Sequence, residues 1–227
     1  MADPALLFAL PLSVQAYEEK EHLLQLLNTV DLVPDVVDTR IFAWGSTSYS
    51  SARYYKFLFA NAPTDRGLDL IWESKCLPKL RIFVWLLMHD RLNTKDLMIR
   101  KHWHVEGGPM CVLCTNQILE TRDHLFFDCP FATVCWDAVG ILWDTQSLIS
   151  PRMLAAKMAF GGPCFMEIFA AAAWNIWKAR NDHIFKNHIH SFGSWRVKFL
   201  NDVLLHQHRV KPALVSPLIE WVRLSFT

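Results

Sequence analysis

Apolar residues recur at helical spacing along most of the chain. In Glu18–Val30 (EEKEHLLQLLNTV), Leu23, Leu26, Leu27 and Val30 follow a charged first turn, which predicts a short amphipathic helix ended by Pro34 within Val33–Val37. Apolar-polar alternation on either side of Gly45, Ser46 and Thr47 predicts a short β-hairpin opening at Arg40. From Ser51, the residues Tyr54, Tyr55, Phe57, Leu58 and Phe59 predict a helix that stops by Ala62 and Pro63, with a loop over Thr64–Leu68. Pro78–Arg91 opens on proline and is apolar almost all round from Ile82 to Met88, so it reads as the central buried helix. Thr94 is a candidate N-cap for a basic helix ending near Lys101, with Asp96 in its first turn. Pro130 opens a further helix that carries Phe131, Val134, Trp136 and Val139. After the break at Gly161, Gly162 and Pro163, two helices are predicted, Phe165–Lys186 and Phe192–His208, joined by a polar turn containing histidine.

Composition narrows the class. With 227 residues, 52% hydrophobic residues and ten tryptophans, the chain buries enough apolar surface to offset its conformational entropy, which excludes wholesale disorder. The longest apolar stretch, Pro163–Trp177, is interrupted by Glu167 and falls short of the roughly 20 residues that span a bilayer, so no membrane partner is expected. Met1–Leu12 carries Asp3 and no Lys or Arg before its apolar run, unlike a secretory leader. An intracellular protein, in nucleus or cytoplasm, is expected. The net charge is +1, but it is unevenly distributed. Residues 75–105 hold seven basic residues against two acidic, as do residues 178–211, while 106–150 hold one basic against six.

The chemical content lies in the cysteines. Six of them in a long intracellular chain argue for free thiols or a metal rather than a disulfide framework. Cys111 and Cys114 are spaced so that two thiolates on one tight turn bind one ion, and His124 and Cys129 return after a loop short enough to close a tetrahedral shell. Zinc suits three thiolates and one imidazole, and four protein ligands leave no open position for a substrate water, so the site would be structural. Two other readings of the CxxC exist, incidental thiols and a redox dithiol. The redox reading lacks its strand-helix setting, because residues 102–115 offer a Gly-Pro loop. Cys76, Cys135 and Cys164 are expected to be buried thiols.

The run IWESKCLPKLRIFVWLLMHDRLNTKDLMIRK, then CVLC, then ETRDHLFFDCPFATVCW, resembles the reverse-transcriptase zinc-binding domain of plant non-LTR (LINE-type) retroelements. The similarity covers roughly Arg40 to Trp136, and AAAWNIWKARNDHIF is similar to the helical tail that often follows that domain. The resemblance assigns Cys111, Cys114, His124 and Cys129 to zinc and implies a nucleic-acid-handling ancestry. Nothing in the chain resembles the aspartate-bearing polymerase motif. The fold class expected is therefore mostly α: an irregular helical domain with a short N-terminal β-hairpin and a small Cys3His zinc loop, followed by a helical tail. The expected divisions are 1–70, 71–145 for the zinc module and 146–227 for the tail.

Two functions compete. In one, the zinc loop supports a basic helix whose Arg91, Lys95, Arg100 and Lys101 contact RNA or DNA phosphates while Trp103 stacks on an unpaired base. A charge run of this kind is equally the solvated face of a helix. In the other, the module is a scaffold with a protein partner on the aromatic helices, through Trp174, Trp177, Phe185, Trp195 and Phe199, unless these are simply core. A decayed fragment with no selected role is a third reading. His183, His188, His190, His206 and His208 are expected at the surface. They come with no carboxylate pair or nucleophile, so neither an enzyme nor a small-molecule substrate is expected.

Overall fold

The structure is a computed structural model and describes residues 11–29, 37, 39–144 and 147–226. The chain forms two compact units, Met1–Ala62 and Pro63–Thr227.

The first unit holds α1 (Val14–Leu27) and α2 (Ser51–Leu58). Each starts at a serine whose hydroxyl accepts a backbone N–H of the first turn, Ser13 from Ala16 and Ser50 from Arg53. The expected stripe of α1 forms but stays exposed at Leu23, Leu26 and Leu27, and the expected Val30 and Pro34 lie outside the described residues. The β-hairpin does not form. The Phe42 N–H donates to the Ser46 carbonyl and closes a turn, and α2 is capped at Ser50, so the second arm is too short to pair as a strand. Aromatic contacts hold this segment instead, with Phe42 stacked on Trp44 at 4.7 Å and Trp44 against Tyr54 at 5.7 Å.

The second unit holds α3 (Arg66–Glu73), α4 (Pro78–Met88), α5 (Lys95–Arg100), a π-turn (His124–Asp128), α6 (Pro130–Val139), α7 (Ile149–Ala159), α8 (Phe165–Lys186), α9 (Phe192–His206) and α10 (Pro212–Ser225). Prolines start α4, α6 and α10, where a missing N–H costs nothing. Gly140 ends α6 at φ +69°, a conformation that favours glycine.

The central helix is α8, not α4. Ala170, Ala171, Ala172 and Ala173 are fully buried, and their small side chains let α4, α6 and α9 pack against α8. In α4, Leu80, Phe83, Val84 and Leu87 face inward, whereas Ile82 and Trp85 remain 49% and 37% exposed. A helix apolar on every side is here buried on one. Trp195 and Phe199 of α9 are buried and stack on each other at 4.9 Å. Phe185, read in the sequence either as part of a partner surface or as core, is 76% exposed. His206, expected at the surface, is fully buried, with Nδ1 bonded to the Asp202 carbonyl. Cys76 and Cys135 are buried as expected, while Cys164 is only partly so.

Candidate metal centre

The segment from Pro109 to Cys129 is built to bring distant ligands together. Cys111 N–H donates to the Ile118 carbonyl and Glu120 N–H to the Pro109 carbonyl, around a single antiparallel bridge between Met110 and Leu119. This pairing closes the loop that carries Cys111 and Cys114. On an α-helix, positions five apart diverge by about 140°. His124 and Cys129 are joined instead by a wide turn, in which Cys129 N–H donates to the His124 carbonyl at 2.7 Å. That turn returns the chain to the side on which it started.

One ligand atom from each of Cys111, Cys114, His124 and Cys129 lies within 4.8 Å of all the others. Cys111 Sγ and Cys129 Sγ are 4.0 Å apart, and Cys114 Sγ is 3.4 Å from His124 Nε2. A tetrahedral zinc ion with bonds of about 2.3 Å to sulfur and about 2.0 Å to nitrogen has S···S edges of about 3.8 Å and S···N edges of about 3.5 Å. The sulfur spacing is far too long for a disulfide. Among the described residues this is the one group of three or more such side chains that could hold a metal ion. Cys111, Cys129 and His124 are buried and Cys114 is partly exposed.

The electrostatics fit a cation. Each sulfur meets backbone N–H donors that favour the thiolate, from Leu113 to Cys111, Asn116 to Cys114, and Phe131 and Ala132 to Cys129. The last two come from the first turn of α6. A hydrogen bond from Cys111 lowers the Cys129 thiol to about 6, and the same bond pushes Cys111 up. Burial raises Cys114. Three sulfurs this close cannot all ionise unless a positive charge sits between them. The donor set therefore fits zinc.

Residues 49–136 match the family described as zinc-binding in reverse transcriptase. Searches of curated proteins and of solved structures each found no match. The matched segment contains all four ligands, and its description concerns zinc binding rather than catalysis. No helix among the described residues is long and apolar enough to cross a membrane.

The residues expected to contact nucleic acid separate into three groups. Arg91, Lys101 and Trp103 are exposed, with the Lys101 ammonium 4.8 Å from the centre of the Trp103 ring. Arg100 is half-exposed and ion-paired to Asp90 and Asp96. Lys95 leaves the set: it is 3% exposed and donates from Nζ to the Met110 carbonyl. Of the aromatic side chains read as a partner surface, Trp174 packs against Phe83 at 5.1 Å and Trp177 against Phe126 at 6.2 Å, while Phe185 stays exposed.

Two residues beside the metal loop escaped the sequence reading. Glu120 is fully buried, and its Oε1 accepts from the Lys95 N–H and from Arg180 Nε and Nη2. Arg180 follows Phe169, Ala173 and Ile176 along the buried stripe of α8, a register legible in advance. Its partner was not.

Proposed function

We propose that this chain is a structural-zinc module of retroelement origin that binds single-stranded RNA or DNA without catalysis. The zinc reading is carried by the four ligand atoms within 4.8 Å of one another, in a segment matching a zinc-binding family. Four protein ligands fill a tetrahedral shell, so the ion would hold the loop and polarise no substrate. The plant non-LTR origin rests on the resemblance of residues 40–136 to that domain.

The nucleic-acid reading is supported by one surface feature. Trp103 is 50% exposed and has Lys101 over its ring, and no ion pair engages Arg91 or Lys101 among the described residues. An exposed indole with a lysine over its ring is the combination that stacks a base and holds its phosphate.

Metal analysis of the purified protein against His124→Ala and Cys114→Ser, with thermal unfolding before and after chelation, tests the zinc site. The expected result is about one zinc per chain in the wild type and loss in both variants. Equal metal content in all three overturns the ligand assignment. For nucleic acid, the affinity of a labelled single-stranded oligonucleotide should fall with salt, and Trp103→Ala and Lys101→Ala should weaken it. A flat salt response, or no binding by zinc-loaded protein, overturns that reading.

A further inference from the structure

Residues that lie beyond position 136 touch the metal loop between its second and fourth ligands and the helix that follows it. Just past Cys129, the Phe131 ring is met edge-on by His190 at 4.8 Å. Between Cys114 and His124, Glu120 receives Arg180, with Nη2 to Oε1 at 2.7 Å. Between His124 and Cys129, Phe126 stacks on Trp177 at 6.2 Å and an interplanar angle of 24°. Trp177 and Arg180 lie on α8, and His190 on the turn that follows it.

The central brace is the strongest. Arg180 and Glu120 are 4% and 0% exposed at their side chains, so neither charge has water to fall back on. The guanidinium lies 4.8 Å from the centre of the Trp177 ring, which fixes its plane. Arg180 also reaches the Asn93 carbonyl, and Glu120 holds the first turn of α5 through the Lys95 N–H to its Oε1 and the Asp96 N–H to its carbonyl. The path between Cys114 and His124 is thus pinned to α8 at one face and α5 at the other.

We propose that Arg180 is a positioning residue for the metal centre, and that the unit able to hold zinc extends past the family-matched segment through α8 to His190. This rests on the zinc reading above. A Cys-x-x-Cys loop and a wide turn supply the donors; α8 sets the distance between them. Removing the Arg180 charge loosens the 115–123 path and leaves Glu120 buried without its cation, so the four donors are held less tightly about their shared centre.

The test measures zinc affinity of the full chain by competition with a chromophoric chelator, together with the thiolate-to-metal absorption of the cobalt-substituted protein. The proteins are wild type, Arg180→Met, Arg180→Lys and, as a control away from the loop, Val203→Ala, which removes buried methyl groups from α9. Arg180→Met should weaken zinc binding by about 10-fold, the low end of what losing a ligand's own hydrogen-bond partner costs, and alter the cobalt spectrum, because Arg180 braces the path between two ligands through Glu120. Arg180→Lys should recover part of the affinity. Val203→Ala should lower the unfolding temperature and leave affinity and spectrum unchanged. Should Arg180→Met fail to fold, the pair Glu120→Gln with Arg180→Met removes both charges, and it should still bind zinc more weakly. Wild-type affinity and spectrum in either variant overturn the inference alone. Absence of metal from the wild type overturns the zinc reading itself.

Discussion

The Lys95 ammonium donates to the Met110 carbonyl at 2.9 Å, across the entrance to the metal loop. This takes a lysine out of the basic block and makes it a structural strut. Lys95→Met should destabilise the fold by about 1–3 kcal/mol, because the Met110 carbonyl loses a buried partner. The same substitution should leave the salt dependence of oligonucleotide binding unchanged, whereas Lys101→Ala should reduce its slope by about 0.7. Chemical denaturation and fluorescence anisotropy read the two effects. A reduced slope for Lys95→Met would put its charge back at the surface.

Chelation should act first on the loop. The Cys111 and Glu120 amides, bonded to the Ile118 and Pro109 carbonyls, are expected to lose hydrogen-exchange protection on zinc removal before amides near Phe199 do. Binding free energies of about 10 kcal/mol for structural zinc make the accompanying drop in unfolding temperature large. Uniform loss of protection across the whole second unit would contradict a local response.

Phe199 and Phe185 should behave oppositely although both lie on the C-terminal helices. Phe199→Ala removes a fully buried ring stacked on Trp195 and should cost about 3–5 kcal/mol. Phe185→Ala alters an exposed ring and should stay within about 0.5 kcal/mol of wild type. Thermal unfolding of the two variants decides this.

Asp182 carries a pH dependence of definite sign. Hydrogen bonds from Lys186 and Lys198 lower its carboxyl to about 2, from an ordinary value of 3.8. The depressed folded value means its contribution is fully present above about pH 4 and is lost as pH falls toward 2. Both lysines are well exposed, so the pairing is worth no more than about 1 kcal/mol. The stability difference between wild type and Asp182→Asn should be constant from pH 5 to 7 and shrink below pH 4. A difference that grows on acidification would reverse the assignment.

The Cys3His cluster was legible because short-range spacing brings Cys111, Cys114, His124 and Cys129 together. The helices α8 and α9 were legible as well, bounded by Pro163, by the Ser191 cap and by long apolar repeats. Three helices were not. In α3, Gly67 read as part of a loop although Asp65 caps the helix by accepting from the Gly67 and Leu68 N–H groups. In α7, Leu148 offers no side-chain cap and Pro151 interrupts the pattern, while α10 forms around an interior Pro217. The hairpin failed because aromatic packing and the Ser50 cap outcompeted a strand pair. The Glu120–Arg180 pair spans 60 residues of sequence, and no periodicity encodes a partner at that distance.

Three of the four donors are walled in, and Cys114 alone keeps a side toward solvent. That asymmetry gives the centre a front door. With zinc in the centre, an incoming thiol or a competing soft cation would meet this sulfur before the three buried donors.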